Sequence, residues 1–137
     1  MSVRGKIRNR EQSGQVRDFS KLRFGNVTPT DIDGYLEFLN RVFIYLELKY
    51  RGYPMPMGQR VALERGCKRI QDGGGDAYVL VAKHFSPPDE DIDASELPLT
   101  HLFHKGRWES VDCPCSVREA IIHILDTHGI LWMYPPK

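Results

Sequence analysis

A chain of 137 residues with 41% hydrophobic content can bury one respectable core and is too short for two ordinary domains. Its 19 basic and 18 acidic side chains leave a net charge of +1, too near neutrality to name a partner by itself. The longest apolar stretches, such as Val42 to Leu46 and Tyr78 to Ala82, fall far short of the ~20 residues that cross a bilayer, which excludes a membrane-spanning helix.

The charges are segregated. Residues 1–23 carry Arg4, Lys6, Arg8, Arg10, Arg17, Lys21 and Arg23 against only Glu11 and Asp18, whereas residues 86–97 hold five acids and no base. Such polarity suits a protein that meets a polyanion on one side. A solvated tail and a solvated loop explain it equally well. No apolar run follows the basic start, so it does not read as a secretory signal, and three cysteines are too few for a disulfide framework. A reducing, cytoplasmic setting is therefore expected.

In chain order, residues 1–15 show no hydrophobic periodicity and read as a flexible basic arm, with a single domain over 16–137. From Ile32 the residues alternate: Ile32, Gly34, Leu36 and Phe38 share one face of a strand, and Asp33, Tyr35, Glu37 and Leu39 the other. Asn40-Arg41 predicts a tight turn into the β-branched and aromatic run Val42–Tyr50. Those two strands form a hairpin. A helix is predicted from about Gly58 to Gln71, with Leu63, Gly66, Cys67 and Ile70 as its buried stripe and Gly73-Gly74-Gly75 as its stop. Gly66 is expected to let that helix approach the sheet closely. The run from Asp76 to Phe85 reads as a buried strand returning parallel to the one before the helix. Beyond an acidic loop, a hairpin turning at Lys105-Gly106 and a helix from Ser116 to Thr127 complete the chain over about 97–128. Ser116 and Glu119 have the spacing of a capping box.

The hairpin is where chemistry-bearing residues gather. Asp33 lies early in one strand and Glu47 and Lys49 late in its antiparallel partner, so the turn brings all three to one end, with position 33 expected opposite position 48. Glu47 and Lys49 are two apart and share a face. Two carboxylates can hold a hard cation through oxygen, and an adjacent ammonium can hold water or stabilise developing negative charge. The plainer alternative is a surface ion pair at a strand end beside a turn-forming aspartate. Asp31 is a second candidate ligand or a residue bonding its own backbone, and Glu37, on the Asp33 face, a candidate for a second metal or an exposed glutamate. Gln59 falls on the inward stripe of the helix, where an amide is unexpected unless something binds it. Arg51, Arg60, Arg65, Lys68 and Arg69 surround this region as candidate phosphate contacts, with solvated charge as the alternative for each. His101, His104, Cys113 and Cys115 are of zinc-ligand type, but their spacing is poor for a zinc site.

Pro29-Thr-Asp-Ile-Asp33, followed after thirteen residues by Glu47-Leu-Lys49, resembles the PD-(D/E)XK nuclease signature. The flanking hairpin, Gly58–Glu64 and the strand at Tyr78 are similar to small nuclease-like proteins of phages and prophages. The resemblance spans roughly residues 19–85. It implies an α/β fold with a mixed central β-sheet, a catalytic β-hairpin and flanking helices, in the manner of a restriction-endonuclease-like core. It also implies Mg²⁺ or Mn²⁺ as cofactor, DNA as partner, phosphodiester hydrolysis of the endonuclease kind, and a bacterial or phage-infected cell as setting. Asp33 and Glu47 would be the metal ligands, Lys49 the group that orients water, and Gln59 a helix glutamine of the kind nuclease relatives carry. The chain departs from the pattern in that Pro29 and Asp33 are not adjacent and no acidic residue of an N-terminal helix is evident beyond Glu11. A homodimer is left open. The competing classes are a non-catalytic DNA-binding or regulatory protein of the same fold, and a structural phage protein that uses its basic arm for assembly.

Overall fold

The computed structural model describes Lys6, residues 18–52 and residues 54–137, divided into two units, Met1–Thr30 and Asp31–Lys137. Apart from Lys6, the arm expected over 1–15 lies outside the described residues. In the first unit, paired backbone hydrogen bonds of 2.9 and 3.0 Å join Phe24 and Val27. Gly25 makes that tight loop with a positive φ of 62°.

The second unit carries a five-stranded mixed sheet and two α-helices, the α/β class expected. Strands β1 (Gly34–Phe38), β2 (Val42–Tyr50), β3 (Asp76–His84), β4 (Leu99–His104) and β5 (Arg107–Ser110) lie side by side in sequence order. Helix α1 (Met57–Asp72) connects β2 to β3, and α2 (Val117–Thr127) follows β5. Every neighbouring pair of strands is antiparallel except β2 and β3, which run parallel as a crossover through α1 requires. Among the described residues no helix is long and apolar enough to cross a membrane.

Side-chain parity assigns the two faces. Val42 and Ile44 point with Tyr78, Leu80 and Ala82 into a core closed by Val117, Ala120, Ile124 and Leu125 of α2. Phe43 and Tyr45 point the other way with Ala77, Val79 and Val81, against Leu63, Cys67 and Ile70 of α1. The predicted stripe of α1 therefore holds at three of its four positions. At Gly66 it does not: a Cβ built there meets nothing within 4 Å, so this glycine makes no close approach. The tight contact is at Gly75, where a Cβ would lie 2.9 Å from Ile70 Cγ2 and 3.1 Å from Phe43 Cε2. Gly74, with φ of 97°, turns the chain so that the Gly75 N–H donates to the Ile70 carbonyl at 3.0 Å and closes α1.

Two details of the first hairpin differ from expectation. The Arg41 N–H donates to the Phe38 carbonyl at 2.9 Å, and φ is 55° at Leu39 and 53° at Asn40, so the turn centres on Leu39-Asn40 rather than Asn40-Arg41. Asparagine suits that conformation and leucine does not, but Glu37 Oε2 accepts the Asn40 N–H at 2.6 Å and helps hold it. The shift moves the register, with Gly34 opposite Leu46. Continued by one residue, Asp33 falls opposite Glu47 instead of position 48. The second hairpin turns at Lys105-Gly106 as expected, both with positive φ. Helix α2 has the capping box: Ser116 Oγ accepts the Glu119 N–H at 3.1 Å and Glu119 Oε1 accepts the Ser116 N–H at 3.2 Å.

Candidate functional site

Beyond Gly34, β1 no longer supplies backbone partners to β2, and the next inward donor is the Leu48 N–H. Asp33 Oδ2 accepts it at 2.7 Å. That bond holds the aspartate against the C-terminal half of β2 without using both carboxylate oxygens. On β2, Glu47 falls on the α1 face and is 1% exposed, the one charged side chain buried among the described residues.

A carboxyl in that position has lost its water, and Asp33 stands beside it. Burial first, and then repulsion from Asp33, push the Glu47 carboxyl up to about 7, with the Lys49 ammonium pulling in the opposite direction. The Lys49 Nζ lies 3.5 Å from Glu47 Oε2, and the lysine side chain is 17% exposed.

Gln59, in the first turn of α1, ties these groups together. Its Nε2 donates to Glu47 Oε1 at 3.0 Å and to the Asp31 carbonyl at 2.7 Å, while its Oε1 accepts from Lys49 Nζ at 3.0 Å. A side-chain amide offers both donors and an acceptor in one rigid plane, so it can bridge a carboxylate and an ammonium at once. Asp31 thus enters through its backbone carbonyl. Asp33, Glu47, Lys49 and Gln59 form one connected network at the open end of the first hairpin.

Other candidates separate from it. Glu37 is committed to the hairpin turn at the far end of β1, which removes it as a second metal ligand. Lys49 borders a cavity of about 220 Å³ whose wall includes Arg60 and Trp108, and a second cavity of about 670 Å³ on the other side of those two residues is lined by Arg65, Lys68 and Lys105. Of the expected phosphate contacts, Arg60, Arg65 and Lys68 line this tract. Arg51 and Arg69 do not; the Arg51 guanidinium instead lies 5.1 Å from the centre of the Tyr50 ring. Lys105 and Trp108 carried no local signal, because β5 is short and its approach to α1 is a tertiary event.

The four zinc-type residues are drawn to different places. His104 Nε2 lies 2.8 Å from Asp76 Oδ1, His101 Nδ1 lies 3.1 Å from Thr100 Oγ1, and Cys113 is exposed. Asp76 is the centre of a separate polar knot on the α2 face. Its carboxylate accepts from Gln71 Nε2 and Tyr78 Oη, both at 2.9 Å, and meets His128 Nε2 at 3.0 Å. Burial acts to raise the Asp76 carboxyl, but the hydrogen bonds from Gln71, Tyr78 and His104 outweigh it and hold the group below its usual range.

Among the described residues no group of three or more His, Cys, Asp and Glu side chains could hold a metal ion. The donors at the hairpin are two carboxylates, which is the number of protein ligands Mg²⁺ commonly takes, the rest being water and substrate phosphate. Two carboxyl groups side by side face the single Lys49 ammonium, 3.5 Å from Glu47 Oε2, so with both ionised the cluster keeps one uncompensated negative charge. Oxygen donors carrying that charge are of the kind a hard divalent ion takes. No family model matches the chain, and neither a curated protein nor a solved structure shows significant similarity to it.

Proposed function

We propose that this chain is a metal-dependent nuclease that hydrolyses phosphodiester bonds of DNA, with a PD-(D/E)XK-like core and Asp33, Glu47, Lys49 and Gln59 as its site. The observation that carries the reading is the buried Glu47 carboxyl facing Asp33, with Lys49 and Gln59 hydrogen-bonded around it. Burying a charged carboxyl costs several kcal/mol unless it is paired, and a plain surface ion pair at a strand end would not be sealed under α1.

Asp33 and Glu47 would hold Mg²⁺ or Mn²⁺, which when bound supplies Lewis acidity toward a phosphoryl oxygen. The chain's own contribution is position and charge. Hydrolysis forms a bond from water oxygen to phosphorus, breaks the bond to the leaving nucleotide oxygen, and moves one water proton. Lys49, whose side chain borders the smaller cavity, reaches this region with an ammonium whose direction Gln59 fixes. An ammonium so held can orient the attacking water and oppose the negative charge that grows on the phosphoryl oxygens. Because Gln59 also holds Glu47, the carboxylate and the ammonium keep their relative geometry when substrate arrives.

The test is cleavage of plasmid, linear duplex and single-stranded DNA with Mn²⁺ by the parent chain, Asp33→Ala and Lys49→Met. Parent activity is expected, lost with Asp33→Ala together with metal binding by calorimetry. Lys49→Met should keep metal affinity, or raise it by removing a nearby positive charge, yet cut slower by about 10²–10³. A Lys49→Met chain as fast as the parent overturns the assigned chemistry. A parent chain that binds DNA and never cuts it would favour the non-catalytic alternative.

A further inference from the structure

Resting on the nuclease reading for the nature of its polyanion, we infer that the tract between α1 and the β4–β5 hairpin is a binding path for single-stranded DNA, with Trp108 as the platform on which an unpaired base stacks.

Trp108 stands between the two cavities and belongs to the wall of both, as does Arg60. One cavity leads to Lys49, and the other to Arg65 and Lys105. The path therefore starts at the candidate site and continues along cationic side chains. Within it, Arg60 pairs with Glu64 at 3.1 Å and Lys68 with Asp72 at 3.0 Å, whereas Arg65 and Lys105 have no carboxylate partner among the described residues. Those two charges are available to phosphates. Trp108 itself is held in place: its Nε1 donates to Glu64 Oε2 at 2.7 Å, and its ring lies 5.0 Å from Phe103. The Arg60 guanidinium sits 5.3 Å from the indole centre, on a side chain that is 46% exposed.

With its N–H bonded to Glu64 and its ring packed against the α1-side core, the half-buried indole presents to the tract the ring face that the Arg60 guanidinium overlies. Between cationic side chains, that face suits a nucleobase, and a planar base can take the place of the guanidinium while the arginine moves to the adjoining phosphate. In a duplex the base faces are stacked on one another and only edges and phosphates are presented. Stacking on Trp108 therefore requires an unpaired base, which selects single strands over duplex near the site.

The experiment uses the full chain with Trp132→Phe, which leaves Trp108 as its only tryptophan; Trp132 is 78% exposed and outside the tract. A dT oligomer of about twelve nucleotides, added without divalent cation so that nothing is cut, should quench Trp108 fluorescence to saturation, and a duplex of equal length should not. Arg65→Gln with Lys105→Asn removes both free charges, asparagine suiting the positive φ of 49° at position 105, and should weaken single-strand affinity about tenfold or more and flatten its salt dependence. Trp108→Leu should cost roughly 5- to 100-fold. No quenching by the single strand, or equal quenching by duplex, overturns the inference even if the parent cuts DNA. Quenching with no cleavage of any substrate keeps the path and sinks the nuclease reading instead.

Discussion

At Glu47 a carboxyl group is shut away from solvent next to a second carboxyl group, and the consequence can be read as pH dependence. In the unfolded chain this group titrates near 4.5, and in the fold near 7, so between those values the folded state binds more protons. Its contribution to stability is therefore fully present below about 4.5 and is lost as pH rises through about 7. In EDTA, the melting temperature should fall from about pH 5 to about pH 8, and Glu47→Gln, which cannot ionise, should flatten that fall. An unchanged slope in the variant would place the effect elsewhere. Under the proposed metal site, Mn²⁺ would have to displace the same proton, so its stabilisation should be larger at the higher pH. Gln59 matters at this scale because a single amide satisfies a carboxylate, an ammonium and a backbone carbonyl.

At the scale of elements, α1 is amphipathic enough to be read from its spacing, but its two glycine-dependent features were not interchangeable. Gly66 has the right period for the buried stripe, yet its missing side chain leaves open space rather than a contact. Gly66→Ala should stabilise the chain by about 0.5–1 kcal/mol, since the helix gains propensity and loses nothing. Gly75→Ala should destabilise by about 1–3 kcal/mol because Ile70 and Phe43 must both give way. Chemical denaturation of the two variants measures both signs, and a destabilised Gly66→Ala would mean that the helix does rely on close approach there. The first hairpin makes a related point. A turn centred one residue earlier than Asn40-Arg41 shifts the register so that its continuation puts Asp33 opposite Glu47, where the Asp33 carboxylate accepts the Leu48 N–H, while Glu47 and Lys49 keep one face of β2.

On the scale of the whole second unit, the Asp76 knot links β3 to β4, α1 and α2 through His104, Gln71 and His128. Its carboxyl titrates below the usual range in the fold, so its stabilisation is present above about 4 and is lost as pH falls through the lowered folded value. Asp76→Asn should cost about 1–3 kcal/mol near neutral pH and make stability less sensitive to acid. Thermal denaturation at several pH values checks this, and a variant as stable as the parent at pH 7 would show that the knot is dispensable.

The sequence by itself determined what depends on near neighbours. Strand alternation, the β-branched run of β2, the stop of α1, the Lys105-Gly106 turn and the capping box of α2 all follow from residues within a few positions of one another, where sterics and hydrogen-bond reach are local. It also determined that Glu47 and Lys49 share a face, because side-chain parity is a property of one strand. Only the tertiary structure decided that Glu47 is sealed rather than solvated, since that depends on α1 docking on the sheet face where β3 lies beside β2. The same holds for Gln59 meeting Lys49, for Trp108 reaching the Lys49 cavity, and for His128 finding Asp76 fifty-two positions away. Those contacts are fixed by which faces must be covered, and the free energy of covering them is spread over the whole core rather than written at any one residue.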